Sequence, residues 1–351
     1  MHDIVDLRSD TLTLPTPQMR EAMARAEVGD DVWGEDPTVQ RLEATAAARL
    51  GKEAGLFVTS GTMGNLVSVV AHTQAGQEVV LDLDSHIYNN EVAGGTVVGH
   101  VQMRPVKTER GFLTPEQVQE SLRPANIHIP PTGLVCLENT HNRHGGTCCT
   151  PEEIAAVAAV AHAAGVPVHI DGARLFNAVI ALERDAREFA GPVDSVTFCL
   201  SKGLGAPIGS VVCGSRAFIE RARRVRKMVG GGMRQAGIVA AAGLISLEHM
   251  IDRLAEDHVN ARTLAEAVAA MPGLAVDLAS VQTNIVIIGV DRGDRRQSTA
   301  ATEELVKGCV ARKVKIHAMG PTAIRCVTHK DVDAEDVRRA VDAFRELTAR
   351  W

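Results

Sequence analysis

The chain has 351 residues, of which 45% are hydrophobic and 23% are charged, a composition typical of a globular protein with room for a large core and a second, smaller unit. It carries 37 Lys and Arg against 43 Asp and Glu, and the resulting net charge of −6 disfavours a nucleic-acid partner. No apolar run is long enough to span a membrane. The seven cysteines are irregularly spaced, which favours a reducing cytoplasm, and Cys136, Cys199, Cys213 and Cys326 lie in apolar runs that predict buried thiols.

Helical and strand-like patterns alternate through the first two thirds of the chain. Apolar, β-branched runs predict strands at residues 56–58, 79–81, 100–103, 134–137, 166–170, 195–200 and 210–213. Capped or amphipathic stretches predict helices at residues 37–50, 62–73 and 150–164. Helices interleaved with fully apolar strands predict an α/β fold, in which a large domain has a mostly parallel sheet covered by helices on both faces.

The pattern changes after about residue 251. Helices are predicted at residues 253–270, 299–312 and 334–347, with strands at residues 284–290, 314–316 and 323–327. This pattern indicates a smaller C-terminal α+β domain of ordinary size. We therefore divide the chain into an N-terminal arm (1–15), a large domain (16–250) and a small domain (251–351).

Two motifs carry the chemistry that the sequence predicts. Lys202 directly follows an apolar strand and precedes glycines, so we expect its stem in the interior and its amine at an opening. An amine in such a setting forms an imine with a carbonyl at neutral pH. Asp171 ends the preceding strand, 31 residues earlier. This pair meets the needs of pyridoxal phosphate (PLP), which are an anion at its ring nitrogen and an amine at its aldehyde.

Other polar residues follow the remaining predicted strands. Gly61 lies in a turn that opens a helix, where free N–H groups can hold a phosphate, although most such turns are only helix caps. His86 and His141 each follow a strand, and either one alone is more often a satisfied loop residue. Because ligands of open α/β sheets bind beyond the carboxyl ends of the strands, these residues together with Asp171 and Lys202 predict one site.

Three arginines are candidates for binding anions. Arg174 follows Asp171 at the same edge, and Arg325 interrupts an apolar strand. Either would suit a ligand carboxylate, which arginine binds bidentately, while a buried ion pair is the alternative for Arg325. Arg234 follows three glycines and a basic helix, a pattern typical of an anion contact or of a hinge beside a solvated helix face.

A metal centre is the remote alternative. His141, His144 and Cys148 offer ligand atoms for a metal-dependent hydrolase, but their spacing matches no common zinc pattern. We therefore predict that the site has no metal ligand.

The order of these motifs resembles that of the low-specificity L-threonine aldolases, PLP-dependent enzymes of the aspartate-aminotransferase-like fold type I. The resemblance covers nearly the whole chain, and its most specific parts are the runs around Asp171 and Lys202. The matching segments are residues 6–11, 29–34, 60–62, 138–142, 171–177, 200–205, 230–235 and 327–329. Trp33 departs from the pattern, because we expect a tyrosine there in many relatives.

The resemblance implies a role at the cofactor for several candidates. Lys202 holds PLP as a Schiff base, Asp171 pairs with the ring nitrogen, and His86 stacks on the ring. The start of the helix after residue 60 holds the phosphate, which a neighbouring subunit also reaches. The implied cofactor set is Gly61, Thr62, His86, Asp171, Arg174, Lys202 and Arg234, with Arg234 as the contribution of the neighbouring subunit.

The resemblance also implies the substrate contacts. Ser9, Arg174 and Arg325 bind the substrate carboxylate. His86 and His141 lie beside the substrate, with His141 near its β-hydroxyl group.

The expected reaction cleaves L-threonine, L-allo-threonine and related β-hydroxy-α-amino acids to glycine and an aldehyde. Lys202, His86 and His141 are the implied catalytic residues, and the hydroxyl proton goes to His86, to His141 or to a water that they hold. A PLP-dependent β-eliminating lyase or an aminotransferase on the same scaffold is the alternative. We also expect a homotetramer, built as a dimer of dimers, with active sites at subunit interfaces.

Overall fold

The computed structural model describes residues 4–124, 126–349 and 351. Its strands in chain order are β1 (Val5–Asp6), β2 (Ala54–Val58), β3 (Glu78–Asp82), β4 (Gln102–Val106), β5 (Thr132–Glu138), β6 (Val168–Asp171), β7 (Ser195–Cys199), β8 (Ser210–Gly214), β9 (Leu274–Ala275), β10 (Ile285–Val290), β11 (Val314–Lys315), β12 (His317–Gly320) and β13 (Ala323–Val327). Its α-helices are α1 (Pro17–Ala24), α2 (Pro37–Leu50), α3 (Gly61–His72), α4 (His86–Asn89), α5 (Gly94–Gly99), α6 (Pro115–Ser121), α7 (Pro151–Ala163), α8 (Leu175–Leu182), α9 (Ala186–Ala190), α10 (Arg216–Met228), α11 (Gly237–His249), α12 (Leu254–Ala269), α13 (Arg295–Ala311) and α14 (Ala334–Thr348).

The central sheet has seven strands, in the order β2-β8-β7-β6-β5-β3-β4. Neighbours from β4 to β7 are parallel, whereas β8 is antiparallel to both β7 and β2. Glu138 of β5 is in register with Asp171 of β6, which is in register with Thr197 of β7. The loops that follow these three strands therefore meet at one edge of the sheet.

Local sequence fixes the ends of the helices that cover this sheet. Thr150 and Glu153 form a capping box at the start of α7, where proline occupies the first turn. The Asp36 carboxylate caps α2, and Gly51 ends that helix in the left-handed region at φ 64°, a conformation that favours glycine. The main hydrophobic core lies between the sheet and helices α2, α7, α8 and α11. A second cluster packs α3 and α10 on the sheet, so helices cover both faces.

The C-terminal part has its own sheet and core. Strands β12-β13-β10-β9 form an antiparallel sheet in that order, and its apolar face packs against α12, α13 and α14. The start of the chain belongs to the same cluster, because Val5 and Leu7 are buried in it and β1 pairs with β11 in parallel. The chain then passes to the large sheet, where Thr13 Oγ1 donates a hydrogen bond to the backbone oxygen of Lys202 at 3.0 Å.

The predicted fold class is confirmed by this architecture. Most predicted elements lie within a few residues of the observed ones, and the helix at 37–50 and the strand at 323–327 match α2 and β13. The strand predicted at 100–103 is displaced, because His100 adopts a left-handed conformation and β4 begins only at Gln102. The antiparallel direction of β8 was not predicted. The proposed boundaries near residues 15 and 250 stay a prediction.

Two predictions from composition also have a structural counterpart. All seven cysteines are buried free thiols, and this confirms the prediction made for four of them. Within the described ranges, no helix combines the length and the apolar character that a membrane crossing requires.

Candidate active site

Asp171 is the last residue of β6 and is only 2% exposed. Its Oδ2 accepts a hydrogen bond from Asn65 Nδ2 at 2.8 Å, and its Oδ1 accepts one from the Ala173 backbone N–H at 3.1 Å. Among the described residues, no side-chain nitrogen of Lys, Arg or His lies within ion-pair distance of this carboxylate. A buried carboxylate without a cationic partner favours the binding of a cationic group.

Lys202 lies three residues beyond the end of β7, in a loop closed by a hydrogen bond from the Gly205 N–H to the Lys202 carbonyl at 2.9 Å. Its side chain is half-buried. The positive charge of Lys202 contributes to the electrostatics of both His86 and Asp10. A carboxylate oxygen of Asp171 and a ring nitrogen of His86 lie within 4.8 Å of each other.

His86 begins α4, and its side chain is 30% exposed. Its Nδ1 lies 2.8 Å from Glu91 Oε1, and its backbone N–H donates to Glu138 Oε2 at 2.6 Å. Burial alone lowers the pKa of His86, but the hydrogen bond with Glu91 and the charge of Asp171 outweigh burial, so the pKa is raised above its ordinary value of 6.5. The Nδ1 side of the ring is therefore held by Glu91, which leaves Nε2 for a ligand.

The first turn of α3 is arranged for an anion. Ser60 caps the helix, with its Oγ accepting a hydrogen bond from the Met63 N–H at 3.1 Å. The N–H groups of Gly61 and Thr62 have no partner inside the helix, because they belong to its first turn. A Cβ atom at position 61 would lie only 2.8 Å from Cys199 Sγ, so glycine is the residue that fits there. These N–H groups and the positive end of the helix dipole suit a phosphate.

Arg174 is buried and forms a bidentate ion pair with Asp10. Its Nε and Nη2 each donate to one carboxylate oxygen at 2.7 Å, and Asn284 Nδ2 adds a hydrogen bond to Asp10 at 3.2 Å. Burial alone raises the pKa of Asp10, but the charge of Arg174 outweighs burial and holds the pKa far below its ordinary range. Two of the five N–H groups of Arg174 bind Asp10, and those of Nη1 are not among them. Its predicted contacts with substrate and cofactor stay predictions.

Arg325 differs from Arg174 because it faces no carboxylate at ion-pair distance within the described residues. Its Nη1 donates to Asn142 Oδ1 at 2.8 Å, its Nη2 donates to the Arg8 carbonyl at 3.1 Å, and its buried Nε has no partner. Burial lowers the pKa of Arg325, and the positive charge of Arg174 adds to the decrease. A half-buried guanidinium with an orphaned N–H is suited to an incoming carboxylate.

His141 follows β5 and is 0% exposed. Its Nε2 lies 3.1 Å from Asp82 Oδ2 and 3.9 Å from Glu138 Oε2. Burial alone lowers the pKa of His141, but the charges of Glu138 and Asp82 outweigh burial and raise the pKa. Because Glu138 also accepts the N–H of His86, it connects the two histidines. The predicted place of His141 beside a substrate hydroxyl stays a prediction.

Two clusters of described residues offer the donor atoms of a cation site, and their members are Asp82, His141 and His144 in one and His86, Glu91 and Asp171 in the other. The set proposed for a metal hydrolase, His141, His144 and Cys148, is not among the groups found in this part of the chain. Burial raises the pKa of Cys148 to about 12, so it is a neutral thiol and a poor ligand. In the first cluster, Asp82 Oδ2 lies 3.1 Å from His141 Nε2, and the two imidazole rings meet edge to face at a centroid distance of 4.8 Å.

The remaining positions singled out in the sequence are Ser9, Arg234 and Trp33. Ser9 Oγ caps the 3-10 turn Asp10–Leu12 and accepts hydrogen bonds from the N–H and the hydroxyl of Thr11. Arg234 is 59% exposed and pairs with Asp30 at 2.8 Å, so within one chain it joins none of the other candidate residues. Trp33 is 76% exposed.

Four residues that shape this site were not predicted from the sequence, and these are Asp10, Asn65, Glu91 and Glu138. Asp10 and Glu138 lie inside segments that match the family pattern, but the pattern alone indicates no role for them. Asn65 and Glu91 carried a weaker signal. Asn65 is a buried polar residue in a largely apolar helix, and Glu91 follows a short helix that the pattern did not predict.

The described residues fit PLP as the cofactor. The Asp171 carboxylate, which has no cationic partner of its own, would pair with the ring nitrogen, and the start of α3 would hold the phosphate. Lys202 would bind the aldehyde carbon. This combination, at the carboxyl edge of a mostly parallel seven-stranded sheet, defines the class of PLP-dependent enzymes of fold type I.

Comparisons with known proteins narrow the class. A family model described as "Beta-eliminating lyase" matches residues 6–291. The chain is 44% identical over 346 residues to low-specificity L-threonine aldolase 1 of Arabidopsis thaliana, covering 97% of this chain and 96% of that one. It is 40% identical over 348 residues to the low specificity L-threonine aldolase of Escherichia coli K12, covering 99% and 100%. The chain belongs to the low-specificity L-threonine aldolases of the beta-eliminating lyase family.

A solved structure agrees with this assignment at the level of the fold. The threonine aldolase of Leishmania major superposes with a TM-score of 0.83 at 18% identity, covering 98% of this chain and 99% of that one. The small identity shows that the backbone arrangement, rather than most side chains, is what the two proteins share.

The contact between His86 and Glu91 generates a prediction about pH. Because the pKa of His86 is raised, the contact stabilises the folded chain fully below the ordinary value of 6.5, and this contribution is lost as pH rises through the raised pKa. We expect Glu91→Gln, which keeps the hydrogen bond but removes the charge, to lower the pKa of His86. An NMR titration of the imidazole checks this shift, and the exposed substitution Glu152→Gln should leave the pKa unchanged. An unaltered His86 in Glu91→Gln would contradict the assigned cause.

Proposed function

We propose that this chain is a PLP-dependent carbon–carbon lyase that cleaves L-threonine, L-allo-threonine and related β-hydroxy-α-amino acids to glycine and an aldehyde. The observation that carries the proposal is the 44% identity to the Arabidopsis thaliana enzyme over nearly the full length of both chains. The geometry of the site supplies residues for each part of the reaction.

Arg325 is the proposed anchor of the substrate. Its Nε has no partner and its guanidinium faces no carboxylate within the described residues, so an α-carboxylate can supply the missing charge. Nη1 of Arg174 is a second proposed donor to this carboxylate. Burial lowers the pKa of Arg325, and the positive charge of Arg174 adds to the decrease, so a carboxylate would relieve both effects. Two guanidinium groups that fix one carboxylate also fix the orientation of the bond between Cα and Cβ, and this orientation selects the bond that breaks.

PLP, when bound, supplies a conjugated ring that withdraws electrons from the bond to be broken. The chain prepares the position of that ring. Lys202 offers the amine that binds the aldehyde, and the buried carboxylate of Asp171 favours a protonated ring nitrogen. Gly61 and Thr62 offer their N–H groups to the phosphate.

His86 is the proposed acceptor of the β-hydroxyl proton, directly or through a water. Its Nδ1 is held by Glu91, its Nε2 is left for a ligand, and its side chain is partly exposed, whereas His141 is fully enclosed. The negative charges of Glu91 and Asp171 stabilise the imidazolium that forms when the proton arrives. His141 holds its own position against Asp82 and acts near the substrate through the shared neighbour Glu138.

Product analysis tests the proposed reaction. With L-threonine as substrate, we expect equal amounts of glycine and acetaldehyde, measured by mass spectrometry after derivatisation. A β-eliminating lyase would instead give a 2-oxo acid and ammonia, and an aminotransferase would require an acceptor and give a new amino acid. Lys202→Ala should lose the yellow colour of the bound cofactor and nearly all turnover, because no other amine replaces the lysine. Full activity in that variant would overturn the proposal.

Substrate affinity tests the role of Arg325. We expect Arg325→Ala to lower kcat/KM by about 10²-fold, since hydrogen bonds between charged groups contribute roughly 1.5–3 kcal/mol each. Arg325→Lys should recover only part of the loss, because an ammonium group cannot bind a carboxylate bidentately. Arg292→Ala, a change at an arginine that lies over Trp351, is the matched control and should retain wild-type kinetics. A wild-type KM in Arg325→Ala would remove the anchor from the proposal.

We further propose a homotetramer in a reducing, cytoplasmic compartment, with each active site completed by a neighbouring subunit. The exposed guanidinium of Arg234 and the exposed ring of Trp33 support a shared interface, because each lacks a buried environment within one chain. The seven buried free thiols support the reducing compartment. Arg234 would cross the interface to bind the phosphate of the neighbouring site.

Complementation between two inactive variants tests the shared site. Lys202→Ala and Arg234→Ala should each have little activity as pure oligomers. After dissociation and joint reassembly, about a quarter of the wild-type activity should return, because half of the pairs are mixed and one of their two symmetric sites is intact. No recovery, in an oligomer shown to be mixed by mass spectrometry, would mean that Lys202 and Arg234 act within one subunit.

A further inference from the structure

Asn65 connects two buried carboxylates. Its Nδ2 donates one hydrogen bond to Asp171 Oδ2 and one to Glu91 Oε1, both at 2.8 Å. An amide nitrogen has two hydrogens, so both are in use. The carbonyl oxygen, Oδ1, must therefore be the atom that faces the other way, and it can only accept a hydrogen bond. The orientation of this amide is fixed by the two negative charges.

His169 lies on that other side. Its Nε2 is 3.3 Å from Asn65 Oδ1, and its Nδ1 is 2.8 Å from Ser195 Oγ. The ring is fully buried in β6, and burial lowers its pKa to about 3, so it is neutral at physiological pH. A neutral imidazole carries one hydrogen. With its hydrogen on Nε2 the ring donates to Asn65 Oδ1, which can only accept, and Nδ1 is then an acceptor.

The same reasoning extends through Ser195 to His72. The Ser195 hydroxyl must donate its hydrogen to His169 Nδ1, so its oxygen accepts from the second imidazole beside it, His72 Nε2 at 2.7 Å. Burial lowers the pKa of His72 to about 4, so this ring is neutral as well and carries its hydrogen on Nε2. Every donor in the series from His72 to Asp171 therefore points in one direction.

The outer end of the series is anchored by packing. The His72 ring stacks on Phe218 at a centroid distance of 4.3 Å. It lines a cavity of about 480 Å³ near Asp194 and Arg221, whose opposite charges act on its pKa in opposite directions. The ring is thus held in one orientation at the end of α3 that lies away from the phosphate-binding turn.

We propose that Asn65, His169 and Ser195 are positioning residues for Asp171, forming with His72 a one-directional hydrogen-bond series that aims an N–H at the Asp171 carboxylate. The series keeps Asp171 oriented as an anion, and Asn65 separates it from Glu91. This inference rests on the proposed function only for the identity of the cation that Asp171 faces, which is the ring nitrogen of PLP. The direction of the series follows from the protein atoms alone.

The physical need for this arrangement is the proximity of two acids. A carboxylate oxygen of Asp171 and one of Glu91 lie within 4.8 Å of each other. Burial raises the pKa of Glu91, and the like charge of Asp171 adds to the increase. An amide that donates to both lowers this repulsion without adding a charge. If Asn65 lost its anchor at His169, its amide could rotate, place its oxygen against a carboxylate and convert attraction into repulsion.

The first experiment measures the direction of the series. In PLP-bound enzyme labelled with ¹⁵N at histidine, long-range proton–nitrogen correlation spectra at neutral pH should show His72 and His169 as neutral rings with hydrogen on Nε2. His169→Phe and His72→Phe assign the two signals. A His169 ring with hydrogen on Nδ1, or with two hydrogens, would overturn the direction. This result does not depend on the reaction that the enzyme catalyses.

The second experiment measures the effect on Asp171. Ser195→Ala and His169→Phe interrupt the series without touching the cofactor, and Ser298→Ala is the control. Ser298 is also buried and hydrogen-bonded, but it lies in α13, far from the central sheet. We expect His169→Phe to weaken PLP binding by about tenfold, which is the lower end of the effect that loss of an orienting partner has at metal sites. Ser195→Ala should have a smaller effect. Ser298→Ala should leave PLP binding unchanged.

A spectroscopic measurement separates positioning from simple loss of stability. With PLP labelled with ¹⁵N in the ring, the nitrogen signal should move toward its unprotonated value in His169→Phe and Ser195→Ala, and should not move in Ser298→Ala. Asn65→Leu should give the largest change. Unchanged ring-nitrogen signals in the folded, PLP-bound variants would overturn the positioning role. Failure of the wild-type protein to bind PLP would instead overturn the proposed function.

Discussion

The buried negative charge of Asp171 is the constraint on which the rest of the site depends. A carboxylate removed from water is costly unless hydrogen bonds and an opposite charge replace the solvent. The chain supplies two N–H donors, from Asn65 and from the backbone of Ala173, but no cation within ion-pair distance among its described residues. The protein therefore supplies the anion of an ion pair, and the protonated ring nitrogen of PLP would supply the cation.

The sheet places this charge beside its chemical partners. Parallel register between β5, β6 and β7 sets Glu138 next to Asp171, and the loop after β7 carries Lys202 to the same edge. His169, two residues before Asp171 on β6, lies on the same face of the sheet. One short strand thus presents an imidazole and a carboxylate to the same helix, and Asn65 bridges them. The pairing of the strands therefore sets the distances between the charged groups of the site.

The sequence predicted the parts of this arrangement that follow local rules. Apolar strands followed by Asp171, His86 and Lys202 indicated the edge of the sheet, and helix caps were clear from Thr150 and its neighbours. Contacts between distant residues were beyond such rules, because nothing near Arg174 shows that Asp10 is its partner 164 residues away. Helix α11 was missed because it is buried on nearly all sides and has no polar face to mark its period.

The ion pair between Asp10 and Arg174 gives residues 5–14 an unusual status. Segments with little regular secondary structure generally tolerate substitution. Val5 and Leu7 instead pack in the core of the C-terminal part. Asp10 neutralises the buried guanidinium of Arg174 beyond the end of β6, and Thr13 contacts the loop of Lys202. Directed evolution of this protein should find these four positions of the segment as intolerant of random change as the interior strands, and diversity is better introduced elsewhere.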